Sequence, residues 1–98
     1  MRVVTRPDFD GVVCAALLHD VEPVSAPTLW VEPKEIQDGR VVTHPFDIIA
    51  NLPLNKPFAL WFDHHVTNVP ADAVPGAFDI APSAAGLIHA YYRGRFSR

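Results

Sequence analysis

Two short stretches of this chain bring together side chains that a metal ion can use, Asp63-His64-His65 and Asp8-Phe9-Asp10-Gly11. Asp8 and Asp10 stand two apart in a turn that contains glycine, so their carboxylates can project to one side. Hard divalent cations such as Mg²⁺ and Mn²⁺ are held by oxygens of this kind. A helix starting near Gly11 would add amide potential suited to an anionic ligand. An Asx turn followed by a helix cap accounts for the same aspartates without any ligand. His64 and His65 are adjacent, so their side chains diverge, and one can bind metal while the other faces substrate. Asp63 can bind the second nitrogen of an imidazole or brace the turn. An ordinary polar strand end is the plainer reading of the pair. Asp47 is a third carboxylate, read as lying in the loop after a third strand and so at the same sheet edge, where it could bridge two cations about 3.5 to 4 Å apart. His44 is a lesser candidate, since His44-Pro45 also suits a turn. His19 and His89 fall on expected helices and read as structural.

The elements that must position these residues alternate. Val3-Val4-Thr5 reads as a first strand, followed by a turn and a helix from about Val12 to Asp20, apolar nearly all round and therefore expected to be buried. Thr28 to Val31 reads as a second strand, Pro33 to Gly39 as a short helical turn, and Arg40 to Thr43 as a third strand. His44 to Pro53, bounded by prolines, reads as a loop with a short ordered centre. Phe58 to Phe62 is an apolar run that reads as a fourth strand, with Asp63, His64 and His65 at its carboxyl end. Thr67 to Pro82 reads as a surface connection. Ser83 stands as an N-cap before a final helix, Ala84 to Tyr92. The pattern implies an α/β fold, a mostly parallel sheet flanked by helices in three layers. In open sheets of this class ligands bind beyond the carboxyl ends of the strands.

The chain has 98 residues, enough for one domain with one core. Its hydrophobic content of 49% and mean hydropathy of +0.12 fit a folded protein and exclude a disordered one. No apolar run approaches the roughly 20 residues that span a bilayer. Met1-Arg2-Val3-Val4 leads into a core strand without a signal-peptide pattern, so the cytoplasm is the expected address. A net charge of −3 supplies no general pull toward nucleic acid. The single cysteine, Cys14, sits among Val12, Val13, Ala15 and Ala16 and reads as part of a buried helix wall.

Taken in order, Asp8-Phe9-Asp10-Gly11, Asp47 with Asn51-Leu52-Pro53, Asp63-His64-His65 and Ser83-Ala84-Ala85 resemble the motifs of DHH-family phosphoesterases. Trp61-Phe62-Asp63-His64-His65 is most similar to the exopolyphosphatase-related branch. The resemblance runs from Val3 to about Tyr92. It implies a Rossmann-like DHH domain, of which residues 1–98 would be the N-terminal part without the C-terminal substrate-binding domain. It also implies Asp8 on a first metal, Asp10 and His64 on a second, Asp47 bridging them, His65 on substrate phosphate and Asp63 supporting the histidines. The implied cofactor is Mn²⁺ or Mg²⁺, two ions in the complete site. The implied reaction is hydrolysis of a phosphodiester or phosphoanhydride in a phosphorylated small molecule, polyphosphate or short oligonucleotide, by a water held between the metals. The chain departs from the family where a histidine often precedes the first aspartates, having Val4 and Arg6 there. It also has no counterpart of the family's later metal-binding aspartate. A non-catalytic metal- or nucleotide-binding module with a degenerate site is the alternative. A part-domain with exposed apolar surface is expected to pair with itself.

Overall fold

The computed structural model describes residues 1–70 and 73–96. Strands β1 (Arg2–Thr5), β2 (Leu29–Trp30), β3 (Asp47–Ala50), β4 (Leu60–Asp63) and β5 (Gly76–Phe78) form one sheet in the order β2-β1-β3-β4-β5. Every neighbouring pair is parallel. All carboxyl ends therefore share one edge, and the strand order reverses direction between β1 and β3. That reversal is the topological switch point at which ligands of doubly wound sheets bind.

Neighbouring residues along the central strands point to opposite faces, and both faces are covered. Val3, Ile48, Ala50 and Phe62 pack against Cys14 and Leu18 of helix α1 (Phe9–Val21) and Ile88 of helix α3 (Ala84–Tyr91). Val4, Ile49 and Trp61 face the other way, toward Val31, Leu52 and Ile36 of the short helix α2 (Pro33–Gln37). The Trp61 indole N–H donates to the Leu52 carbonyl at 2.9 Å, tying β4 to the segment that follows β3.

The third strand is not where the sequence reading puts it. Val41 and Val42 are β-branched, yet Val42 is exposed and Arg40 to Thr43 forms no strand. The central strand is Asp47–Ala50, buried at every position. Its first residue is acidic because Asp47 pairs with Arg2, its partner in the β1–β3 register. Arg2 Nε and Nη2 donate to the two Asp47 oxygens at 2.9 and 2.7 Å, and His44 N donates to Oδ2 at 2.8 Å. The hydrogen bond to Asp47 pushes the Arg2 pKa up from its ordinary value, so the guanidinium stays charged. This places Asp47 at the amino end of its strand, on the sheet edge opposite the other candidate residues. His44, stacked on Phe46, lies there too. Neither the bridging role expected of Asp47 nor a ligand role for His44 fits that placement.

Three smaller differences follow from local chemistry. Helix α1 starts at Phe9 rather than near Val12, because Asp8 caps it by accepting from Gly11 N. It is only partly buried: Phe9 and Val12 are exposed. The stretch read as a plain connection contains β5, whose Gly76 has φ +118° and lies so close to the Trp61 backbone that an added Cβ would stand 2.0 Å from its carbonyl oxygen. Part of that stretch, residues 71–72, lies outside the described residues.

Candidate active site

Three strand ends supply the site. After β1, the chain turns through Arg6-Pro7-Asp8 into α1. The turn is so tight that a Cβ on Gly11 would come within 1.7 Å of the Arg6 carbonyl oxygen, so only glycine fits. Thr5 Oγ1 donates to the Gly11 carbonyl at 3.4 Å and holds the turn to the strand. After β3, Asn51 adopts φ 58°, the left-handed region that asparagine tolerates better than most residues. After β4 come His64 and His65.

Asp8 and Asp10 sit in different surroundings although only Phe9 separates them. Asp8 Oδ1 accepts from Gly11 N at 2.8 Å and from Asn51 Nδ2 at 3.1 Å, while Oδ2 lies 3.4 Å from Arg6 Nε. Asp10 is held from across the crevice by the start of α3: Ala84 N donates to Oδ2 and Ala85 N to Oδ1, each at 3.0 Å. Ser83 Oγ meanwhile accepts from Gly86 N and caps the same helix. The Ser83-Ala84-Ala85 string thus satisfies one amide internally and turns two outward onto a carboxylate of the first motif, with the helix dipole favouring negative charge there.

The two histidines part company as adjacent residues should. Their ring centroids are 4.2 Å apart. His64 Nδ1 lies 2.9 Å from the Ala81 carbonyl, which can only accept, so the ring proton is on Nδ1. Nε2 then faces Asn51 Oδ1 at 3.2 Å and Asp10 Oδ2 at 3.4 Å. His65 turns back instead: its Nδ1 lies 2.7 Å from Asp63 Oδ1, while Asn68 Nδ2 donates to Asp63 Oδ2 at 2.7 Å. Asp63 is fully buried. One potential ligand atom from each of Asp63, His64 and His65 falls within 4.8 Å of the others. In this structure the two Asp63 oxygens meet His65 and Asn68, so Asp63 braces His65.

With the ring proton on Nδ1, His64 Nε2, the Asp10 carboxylate and the Asn51 amide oxygen are acceptors facing one another, an arrangement that a cation between them would satisfy. Imidazole nitrogen, carboxylate and carbonyl oxygen together form a set that suits divalent ions such as Mn²⁺, so these residues fit the implied metal. The structure brings Asp8, Asp10 and His64 together, keeps Asp63 and His65 beside them, and leaves Asp47 out.

No protein-family model matches this chain, and no curated protein matches it. Among solved structures it is similar to the pGpG-specific phosphodiesterase PggH of Vibrio cholerae, with a TM-score of 0.78 and 42% identity over 95% of this chain. That likeness supports the DHH phosphoesterases as the chain's family. The match covers 30% of the neighbour's own length, so the chain spans under a third of it.

Among the site residues, Asn51 has no role of its own in the residue reading, where it only follows Asp47. The structure puts its side chain at the centre, donating to Asp8 and facing His64 Nε2. A signal was available: Asn51 directly follows the apolar run Ile48-Ile49-Ala50, as Asp63 follows Trp61 and Phe62. Arg6, Asn68 and the Ala81 carbonyl are further contributors, and a backbone carbonyl leaves no trace in residue types.

Proposed function

We propose that the protein is a metal-dependent phosphodiesterase acting on short oligoribonucleotides of the pGpG kind, at the crevice between the ends of β1, β3 and β4. The observation that carries the reading is the convergence of Asp10, Asn51 and His64 at the switch point of a fold shared, at 42% identity, with a pGpG-specific phosphodiesterase. What Mn²⁺ or Mg²⁺ supplies in such a donor set is a water of lowered pKa and relief of phosphate charge. The chain's own residues do the rest. The α3 amides fix the Asp10 carboxylate, the Ala81 carbonyl fixes the His64 tautomer, and Asp63 orients His65 so that Nε2 is left to meet a phosphate oxygen or pass a proton to the leaving group.

The clefts on either side suit a dinucleotide. One of about 610 Å³ is walled by Phe9, Val13 and Pro82 beside Asp8 and Asp10, an apolar surface on which a base can lie. The other, about 100 Å³, is lined by polar groups including Arg6, Gln37, His65 and Asn68. An apolar wall that includes the Phe9 ring favours a nucleotide over polyphosphate, the substrate of the exopolyphosphatase-related alternative. We place the reaction in the cytoplasm, where such nucleotides occur and where thiols like that of Cys14 are kept reduced.

The test is to incubate the protein with pGpG and, separately, polyphosphate, each with and without Mn²⁺, and follow product by chromatography. Metal-dependent conversion of pGpG and one water to two GMP, lost in His64→Ala, is expected. Absence of metal-dependent turnover on either substrate would defeat the reading, and Mn²⁺ binding without product would favour the non-catalytic module.

A further inference from the structure

The two site aspartates differ in what surrounds them. Around Asp8 every partner is a donor: Gly11 N, Asn51 Nδ2 and the Arg6 guanidinium. Around the other corner, Asp10 Oδ2, Asn51 Oδ1 and His64 Nε2 are acceptors facing one another. Asn51 divides the two corners. Its side chain is essentially buried, at 1% exposure, with the amide nitrogen committed to Asp8 and the oxygen aimed at His64. Turning the amide over would set its oxygen against the Asp8 carboxylate, acceptor against acceptor, and lose the hydrogen bond that holds the residue there.

A positive charge therefore already stands at the Asp8 corner. Arg6 Nε lies 3.4 Å from Asp8 and 3.7 Å from Glu32, with 38% of its side chain exposed. Long, half-solvated pairs of this kind contribute little, so the guanidinium can be drawn to a better acceptor at small cost. It lines the cleft of about 100 Å³ together with Asn51, His65 and Gln37. A phosphate oxygen pair there would meet a planar fork of N–H donors, the geometry for which arginine is suited above lysine.

We propose that the site takes one divalent cation, held by Asp10, Asn51 and His64, and that Arg6 supplies the second positive charge at the Asp8 corner, where it meets a substrate phosphate. The phosphate contact rests on the phosphodiesterase reading; the ion count does not.

Calorimetric titration of the full chain with Mn²⁺, with bound ion counted by electron paramagnetic resonance, tests the first half. One Mn²⁺ per chain is expected. Asp10→Asn and His64→Ala should weaken it by about a hundredfold or more, whereas Asp8→Asn and Arg6→Ala keep it within about threefold. Inorganic phosphate titrated into the Mn²⁺-loaded protein tests the second half. Arg6→Ala should lose about tenfold or more in phosphate affinity, with Arg6→Lys recovering part of it. Thermal unfolding of each variant checks that it folds. Two Mn²⁺ per wild-type chain, no Mn²⁺ at all, loss of the ion in a folded Asp8→Asn, or unchanged phosphate affinity in Arg6→Ala would each overturn the proposal. A chain that binds one Mn²⁺ and phosphate as described but leaves pGpG intact would instead count against the hydrolase reading alone.

Discussion

Asp47→Ala separates a structural carboxylate from a metal ligand more sharply than any other single substitution. Asp47 has no exposed surface and accepts from Arg2 Nε, Arg2 Nη2 and His44 N. Its removal strands the guanidinium and the His44 N–H. Breaking a buried ion pair by deleting one partner costs about 3–5 kcal/mol. Arg2 retains 20% exposure and can recover some hydration, which favours the lower end, about 3 kcal/mol. For a domain near 100 residues each kcal/mol shifts the midpoint by roughly 4–8 °C, so a fall of about 12–24 °C is expected. Mn²⁺ affinity, measured by calorimetry well below the new midpoint, should stay within about twofold, because the pair sits at the far edge of the sheet. Asp47→Asn, which keeps one acceptor, should fall between the two proteins in stability. A variant with wild-type melting and no Mn²⁺ binding would refute the assignment and return Asp47 to the ligand set.

Gly11→Ala should destabilise the protein by about 1–3 kcal/mol in urea unfolding, since the new methyl meets the Arg6 carbonyl and the Asp8 turn must open. Ser83→Ala should cost about 1 kcal/mol through the lost cap on Gly86 N, and should weaken Mn²⁺ binding only through the looser α3 amides. Burial, with Asp10 and Asp8 nearby, pushes the Cys14 thiol up, so the native protein should not react with a disulfide reagent at pH 8 and should react fully once unfolded. Burial and then the hydrogen bond to Glu22 raise the Tyr92 pKa above its unfolded value of about 10. The stabilisation from the neutral phenol is thus complete below that pH and is lost as pH climbs toward the folded pKa; Tyr92→Phe should flatten the alkaline decline measured by thermal unfolding.

Much of the fold is legible because the apolar runs are short and regularly bounded: Val3-Val4-Thr5, the run ending at Phe62 and the Ser83-capped helix fall where local chemistry places them. β3 escapes because a buried acid at its first position reads as polar, and the arginine that neutralises it lies 45 positions away in the chain. Val41-Val42 misleads for the opposite reason, being strand-like in type but exposed. The site is legible where a residue and its neighbour in sequence work together, as at Asp8-Gly11 and Asp63-His65. It is obscure where the partner comes from another strand, as Asn51 does for Asp8 and His64, or from the backbone, as Ala81 does.

The left-handed backbone at Asn51 narrows what residue 51 can be. Asparagine, aspartate and glycine enter that conformation with least strain, and the first two differ only in whether nitrogen or oxygen points at Asp8. As an amide the residue donates to Asp8 at 3.1 Å. As a carboxylate it would confront another carboxylate at that distance, a repulsion that a further cation or a shared proton must relieve. The left-handed backbone suits either residue, so what separates them is the charge set beside Asp8: Asn51→Asp would add a carboxylate at the corner that Arg6 faces.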